Sequence, residues 1–244
     1  MILLFIVGAS LAGGLVAVLL AATVLALNNA VLDRALPRLL SFSTGTLLGA
    51  ALLGMIPQAA KHLGMPAITS VILCGLISFF VLEKLLVWRH CHVNDCEIHA
   101  SSGPLLVLGD AVHNFVDGVV IAGAFLTSTE LGLATALSTI AHEVPQETGE
   151  FIAYLRSGCS RRRALLLNVV SSLTSVLGSV VGYLFLSQMR IVLPYLLTFA
   201  ASGFLYVALA DLIPAQRGRM SLRLTLLDLV LLLIGIGVIV PVAH

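Results

Sequence analysis

Charged residues are scarce in this chain, and their scarcity excludes a soluble fold. They make up 10% of the 244 residues, hydrophobic residues make up 59%, and the mean hydropathy is +1.09. Soluble domains carry about 25% charged residues. The net charge is only +1, and the largest basic cluster is the run of three arginines at 161–163. No basic surface is available for nucleic acid, which is therefore excluded as a partner.

Long apolar runs take the place of the missing charge. A helix that crosses the hydrocarbon core needs about 20 apolar residues. The first run begins at Met1 without a preceding basic segment and is longer than the apolar part of a signal peptide, so we expect it to be retained. We predict an all-α membrane protein, a single domain over 1–244 in contact with the lipid bilayer. Its eight transmembrane helices are expected near 2–26, 39–60, 63–82, 104–127, 132–155, 164–187, 191–213 and 224–243.

Lysine and arginine are distributed unevenly between alternate loops. Positively charged residues resist translocation and stay on the cytosolic side. One set of loops holds only Lys61 and Arg190. The other set holds the remaining eleven: Arg34, Arg38, Lys84, Arg89, Arg156, Arg161, Arg162, Arg163, Arg217, Arg219 and Arg223. We therefore expect a multi-pass protein of the cell (plasma or inner) membrane with both termini outside the cytosol.

Two of the apolar runs are similar to each other. Aligning 40–57 with 197–214 gives seven identical pairs, from Leu40 and Leu197 to Pro57 and Pro214. In the predicted topology these segments lie in spans two and seven and run in opposite directions. Opposed repeats of this kind enclose a central site in many transporters. The alignment therefore predicts an inverted repeat of spans 1–3 against spans 6–8 around spans 4 and 5.

Ionisable residues concentrate in spans four and five, where each charge is costly and marks a functional site. Residues three or four apart share one face of a helix, so each span carries one polar stripe. The two spans are consecutive and antiparallel, and we expect the stripes to face each other at one depth. The stripes are Asp110, His113, Asn114 and Asp117 on the fourth span, and His142, Glu143, Gln146, Glu147 and Glu150 on the fifth.

The two stripes carry ligands suited to a borderline divalent metal. Imidazole, carboxylate and amide oxygen without thiolate suit Zn²⁺, Fe²⁺, Mn²⁺ or Cd²⁺. A transported ion must also be released, and Asn114 and Gln146 are expected to be the weaker ligands. Pro145 cannot donate to the carbonyl of Ala141, so the fifth helix should bend and free that carbonyl. We predict metal ligands at His113, Asn114, Asp117, His142, Glu143, Gln146 and Glu147.

These stripes also resemble the paired signatures of a known family. HNFVDG at 113–118 and HEVPQETGEF at 142–151 are similar to the HNFxDG and HExPxExGD motifs in one branch of the ZIP (Zrt-/Irt-like protein) family of divalent-metal transporters. Further similarities are Glu83-Lys84, the segment WRHCH at 88–92, and ADLIP at 210–214. The resemblance covers spans two to seven.

The resemblance implies an eight-helix carrier that moves zinc or a similar ion into the cytosol, the ion being substrate and not a catalytic cofactor. It implies two metal positions bridged by Asp117 and Gln146. This chain has Gln146 where the branch has a second histidine, and Glu150 where aspartate is common, so its metal preference is open. The implied ligand sets are His113, Asp117, His142 and Gln146 for one ion, and Asn114, Asp117, Glu143 and Gln146 for its neighbour.

A cytosolic loop between spans three and four is also rich in metal ligands. Its spacing fits transient metal capture and lacks the paired geometry of a structural zinc site. The cysteines lie in span three or on the cytosolic side, so we expect no structural disulfide. The sequence leaves open whether the chain forms a homodimer. The loop's ligands are His90, Cys91, His92, Cys96 and His99.

Two other functions use the same residues. His142-Glu143 also begins the HExxH pattern of metalloproteases, in which two histidines one turn apart hold zinc and the glutamate is the base. Gln146 replaces the second histidine and Pro145 bends the helix, so we expect a transporter and no enzyme. A metal-gated channel or receptor is the remaining alternative.

Overall fold

The computed structural model describes residues 2–26, 29–88, 103–156, 158–216 and 222–243. These residues form eight helical spans, and no strand occurs among them. The spans are α1 (Ile2–Ala26), α2 (Asn29–Gly49, then Ala50–Met55 and Ile56–Ala60), α3 (Met65–Trp88), α4 (Gly103–Thr127), α5 (Thr129–Arg156), α6 (Arg161–Ser172 and Thr174–Leu186), α7 (Leu193–Tyr206, then Val207–Leu212 and Ile213–Ala215) and α8 (Leu222–Ala243).

The predicted all-α architecture is confirmed. Seven of the described helices have the length and composition of a membrane span. The eighth, α5, carries four glutamates, at positions 130, 143, 147 and 150, which lower its hydropathy. Helix α2 begins at Asn29, before the apolar run at 39, and α3 extends to Trp88, past the run that ends at 82. The apolar runs therefore mark the membrane-embedded parts of longer helices.

Spans α2 and α7 each contain a π-helical segment, Ala50–Met55 and Val207–Leu212. In both, the hydrogen bond that closes the segment reaches five residues back, from Ile56 N–H to the Ala51 carbonyl and from Ile213 N–H to the Ala208 carbonyl. The sequence alignment of spans two and seven pairs these segments residue for residue. This match is consistent with the inverted repeat, which stays a prediction.

Glycines allow two helix pairs to pack backbone against backbone. A Cβ on Gly118 of α4 would lie 1.9 Å from the Ser175 carbonyl oxygen of α6. A Cβ on Gly45 of α2 would lie 2.0 Å from the Leu232 carbonyl oxygen of α8. Small residues permit such close approach between membrane helices. The contact at Gly118 sets the position of α4 against α6. Helix α4 carries one of the two polar stripes.

The main apolar cluster lies on one side of these stripes. On α4, Val120 and Ala124 follow the polar residues, and on α5, Leu131 and Ala134 precede them. Since the two helices are antiparallel, all four side chains lie toward the same end of the bundle. Residues of α2, α7 and α8 complete the cluster: Leu47, Ala50, Ala51, Met55, Leu197, Ala200, Ala201, Phe204, Ala208, Leu212 and Ile239.

Candidate metal centre

Four side chains from the two polar stripes meet between α4 and α5. Each offers one nitrogen or oxygen atom, and these atoms all lie within 4.8 Å of one another. His113 and Asp117 are four residues apart and share one face of α4, whereas His142 and Glu143 are consecutive on α5 and reach the group from adjoining positions. The group, called here the histidine centre, consists of His113, Asp117, His142 and Glu143.

Distances within the histidine centre match the coordination of one metal ion. The Nε2 atoms of His113 and His142 are 3.3 Å apart, and His142 Nε2 is 3.2 Å from Asp117 Oδ2. Glu143 Oε1 lies 3.4 Å from His113 Nε2 and 3.6 Å from His142 Nε2. Tetrahedral zinc with bonds of about 2.1 Å separates its ligand atoms by about 3.4 Å. Four of these distances are near the tetrahedral value, whereas His113 Nε2 and Asp117 Oδ2 are 4.0 Å apart, so a zinc-sized ion would draw these two side chains slightly closer.

The carboxylates of the centre are buried beside the two imidazoles. Asp117 and Glu143 are 5% and 1% exposed. Glu143 Oε1 and Asp117 Oδ2 lie beside imidazole nitrogens, and Glu143 Oε2 has no hydrogen-bond partner among the described residues. A buried carboxylate is costly unless a cation or a donor compensates it. A divalent cation would supply that compensation.

The orientation of His142 is fixed by the backbone of its own helix. Its Nδ1 lies 3.0 Å from the carbonyl oxygen of Ser138. A carbonyl only accepts, so Nδ1 carries the hydrogen in this contact and Nε2 turns its lone pair toward the centre. Metal-binding histidines are commonly oriented in this way.

Helix α2 supports the part of α5 that Pro145 disturbs. The proline cannot donate to the Ala141 carbonyl, and the hydroxyl of Ser43 donates to that carbonyl instead. The hydroxyl of Ser138 in turn donates to the Thr46 carbonyl at 3.1 Å. Two hydrogen bonds thus tie α2 to α5 beside the histidine centre. The sequence predicted the free carbonyl, and the structure supplies its partner.

A second group of acidic residues lies next to the histidine centre. Asp110, Glu143 and Glu147 place one oxygen each within 4.8 Å of the others, and all three are buried. The Asn114 amide donates to Asp110 Oδ1 at 2.7 Å. We call these three acids the carboxylate cluster. It shares Glu143 with the histidine centre.

The seven residues predicted as ligands fall into three groups in the structure. Four form the histidine centre and Glu147 belongs to the carboxylate cluster. Asn114 contacts Asp110, and the amide nitrogen of Gln146 lies 3.4 Å from Glu150 Oε1. Metal ligation by all seven residues stays a prediction. The histidines and cysteines expected at 90–99 lie outside the described residues.

Some residues of the site were not assigned by sequence. Asp110 belongs to the predicted stripe but was not among the predicted ligands, although its spacing from Asn114 is one helical turn. Asn168 of α6 is fully buried and donates to the Glu147 carbonyl at 3.1 Å. A polar residue inside an apolar span was the available signal for Asn168. No spacing pattern pointed to Ser43.

A largely apolar cavity of about 350 Å³ opens beside the histidine centre. Its wall includes His113, whose side chain is 31% exposed, whereas that of His142 is 2% exposed. The other lining residues, from α2, α3, α4 and α7, are apolar apart from Asp117 and His142. The polar side chains in the wall of this cavity thus all belong to the histidine centre.

The sequence of this chain is similar to those of known zinc transporters. A family model described as ZIP Zinc transporter matches residues 89–243. Zinc transporter ZIP4 of Homo sapiens is 46% identical over 112 residues, which are 46% of this chain and 17% of ZIP4. Zinc transporter ZIP13 of Pongo abelii is 30% identical over 227 residues, 84% of this chain and 66% of ZIP13. Zinc transporter YKE4 of Saccharomyces cerevisiae is 30% identical over 217 residues, 75% of this chain and 62% of YKE4.

The matches differ in how much of each relative they cover. The matched part of the chain spans less than a fifth of ZIP4 and about two thirds of ZIP13. The family model itself covers more than half of the chain, including α4, α5 and the histidine centre. Taken with the membrane-spanning helices, this match confirms the family expected from the sequence motifs. The chain belongs to the ZIP zinc transporter family.

Proposed function

We propose that this protein carries divalent metal ions, with zinc as the first candidate, across the membrane into the cytosol. One observation carries the proposal: two imidazoles and two carboxylates converge at the spacing of tetrahedral zinc in the middle of the helix bundle. The relatives named above are zinc transporters, which supports zinc as substrate.

The chemistry of the centre suits transport better than permanent storage. Two carboxylates neutralise the ion after it loses its water, and two neutral imidazoles add strong nitrogen ligands. No thiolate is present in the centre, so the site is expected to release its ion more readily than a cysteine site. Gln146 is neutral where the family branch has histidine. We therefore propose that Fe²⁺, Mn²⁺ or Cd²⁺ compete with zinc.

The proposed orientation in the membrane rests on the distribution of positive charge. Eleven of the thirteen lysines and arginines lie in one set of loops, so both termini are proposed to lie outside the cytosol. The main apolar cluster then separates the histidine centre from the outer face. A single cysteine at Ser128 should react with an impermeant thiol reagent added outside cells, whereas one at Ser160 should not, both in a cysteine-free background. The opposite pattern would reverse the orientation.

An intramembrane protease is less consistent with the geometry. In HExxH enzymes the glutamate acts as base beside the metal, but Glu143 Oε1 lies within the ligand group, 3.4 Å from His113 Nε2. Gln146 also takes the place of the second histidine. We therefore propose no enzymatic activity. A metal-gated channel would also bind zinc saturably. Unlike a coupled carrier, it would not accumulate zinc against the zinc concentration gradient.

Uptake of ⁶⁵Zn by proteoliposomes tests the proposed function. The wild type should show saturable uptake, and His113→Ala, Asp117→Ala and His142→Ala should each abolish it or reduce it severely. His62→Ala is the matched control, because His62 is exposed in the connection between α2 and α3 and should transport normally. Correct folding of each variant is checked by its elution as a single species in detergent. Normal uptake by folded variants of the centre would refute the assignment.

A further inference from the structure

Two buried threonines on α5 continue the polar stripe from the histidine centre toward the main apolar cluster. Thr139 lies three residues before His142, and Thr135 lies four residues before Thr139. Residues at this spacing share one face of a helix, so both threonines lie on the face that carries His142. Thr135 is 0% exposed and Thr139 is 5% exposed.

Neither of these hydroxyls has a hydrogen-bond partner among the described residues. A helical threonine can donate to the carbonyl one turn earlier. Thr127, Thr148 and Thr198 do so, at 2.9, 2.7 and 2.7 Å. The Oγ1 atoms of Thr135 and Thr139 make no such bond, and a buried hydroxyl without a partner is costly. Two of them on one helix face indicate a ligand that comes and goes.

A polar cavity of about 190 Å³ lies at the end of the bundle toward which these threonines lead. Its wall includes Lys61, Ser128 and Glu130, which lie near the connections between helices, and also Leu131. Leu131 is buried and belongs to the main apolar cluster. It precedes Thr135 by four residues, so one helical turn separates the cavity wall from the first buried hydroxyl.

The cavity, the two hydroxyls and the histidine centre thus follow one another along α5. Steps of four, four and three residues connect Leu131, Thr135, Thr139 and His142. They span about 16 Å of helix at 1.5 Å per residue. A divalent ion that crossed this distance past apolar side chains alone would lose its water without any replacement, which is costly.

We propose that the hydroxyl oxygens of Thr135 and Thr139 bind the metal ion in transit between this cavity and the histidine centre. The inference rests on the proposed function, because it assigns two residues to the path of the transported ion. A hydroxyl oxygen is a neutral ligand and holds a divalent ion less tightly than a carboxylate or an imidazole does. Such weak binding suits a position that the ion occupies only in passing.

Variants that remove only the hydroxyl test this path. Thr135→Val and Thr139→Val should each lower the maximal rate of ⁶⁵Zn uptake by about tenfold, the factor expected for one lost contact between a dipole and a charge. Zinc affinity measured by calorimetry should be unchanged, since neither residue belongs to the histidine centre. The Tm should be unchanged or higher, because the hydroxyl that is removed had no partner. Thr135→Ser and Thr139→Ser keep the hydroxyl and should transport at nearly the wild-type rate.

Thr148→Val is the matched control on the same helix. Thr148 is fully buried and follows Thr139 by nine residues, about two and a half turns, so it lies on the opposite side of α5. Its hydroxyl donates to the Val144 carbonyl. Loss of that bond should lower Tm, whereas the uptake rate per folded protein should stay normal. This pattern is the reverse of the one expected for the two valine variants of the path.

Thiol labelling examines the same path without measuring transport. The path must open to admit a hydrated ion, so Thr135→Cys and Thr139→Cys in a cysteine-free background should react with a small water-soluble methanethiosulfonate. Ala122→Cys should not react. Ala122 is fully buried in α4 at a similar depth and packs in an apolar cluster with Ile121 and Phe125.

Several outcomes would overturn the path. Normal uptake by folded valine variants would show that the hydroxyls do not assist the ion. Serine variants as slow as the valine variants would assign the effect to side-chain shape, and a lower Tm with weaker zinc binding in the valine variants would assign it to structure. Cysteines at 135 and 139 that react no faster than the one at 122 would exclude access by a hydrated ion. Absence of uptake by the wild type would instead refute the proposed function.

Discussion

The close contact between α4 and α6 makes Gly118→Ala a quantitative test of the fold. The added Cβ would lie 1.9 Å from the Ser175 carbonyl oxygen and 2.7 Å from the Ser179 nitrogen, whereas ordinary contacts begin at 3.4 Å. The helices must therefore separate by about 1.5 Å. Forcing a methyl group into a packed interface costs about 1–3 kcal/mol. Alanine recovers about 0.5–1 kcal/mol of that through its better helix propensity, so we expect a net loss of about 1–2 kcal/mol.

Thermal unfolding in detergent measures this loss. For a chain of this size, 1 kcal/mol corresponds to about 2–4 °C, so Gly118→Ala should lower Tm by several degrees. Gly109→Ala is the matched control on the same helix, because its Cβ would meet no atom within 4 Å, and its Tm should be unchanged or slightly higher. Zinc affinity should fall only in the first variant, since Gly118 follows Asp117. Equal Tm values for the two variants would refute the described contact.

Three further predictions concern the support, protonation and selectivity of the site. Ser43→Ala leaves the Ala141 carbonyl without its donor and should cost about 1–3 kcal/mol of stability by thermal unfolding, whereas Ser70→Ala, which removes an exposed bond within α3, should cost little. Zinc affinity measured by calorimetry should fall as pH drops from about 7.5 to 5.5, because histidine, with a reference pKa of about 6.5, must be neutral to bind metal; a flat profile would contradict histidine ligation. Gln146→His should raise zinc affinity and strengthen preference for zinc over Mn²⁺ in competition assays, and an unchanged ranking would mean that Gln146 does not face the metal.

The helices could be predicted from sequence because the bilayer sets their length. Each apolar run had to be long enough to cross the membrane with its backbone hydrogen bonds satisfied internally. Helix α5 needed a second signal, since its glutamates remove it from the set defined by hydropathy. Its polar stripe supplied that signal, because the charges lie at helical spacing on one face. The starting residue of α2 was missed because a helix can continue beyond the apolar layer.

The histidine centre could be predicted from the spacing of its residues along two helices. The contacts that surround it could not. Spacing places His113 and Asp117 on one face and His142 and Glu143 near another, and the antiparallel hairpin brings these faces together. Spacing says nothing about contacts from distant helices. The hydroxyl of Ser43 and the amide of Asn168 reach α5 from α2 and α6, and only the packed structure shows these contacts. The pairing of Asp110 with Glu147 likewise depends on the depth at which α4 and α5 meet.

Location of the bound ion tests the central claim most directly. Crystals of the wild-type protein grown with Zn²⁺ should be measured at the zinc absorption edge. The strongest anomalous peak should lie between α4 and α5, about 2.0–2.1 Å from the Nε2 atoms of His113 and His142 and about 2.0–2.2 Å from oxygens of Asp117 and Glu143. A strongest peak elsewhere, with none within bonding distance of His142 Nε2, would contradict the assignment of this centre as the metal site.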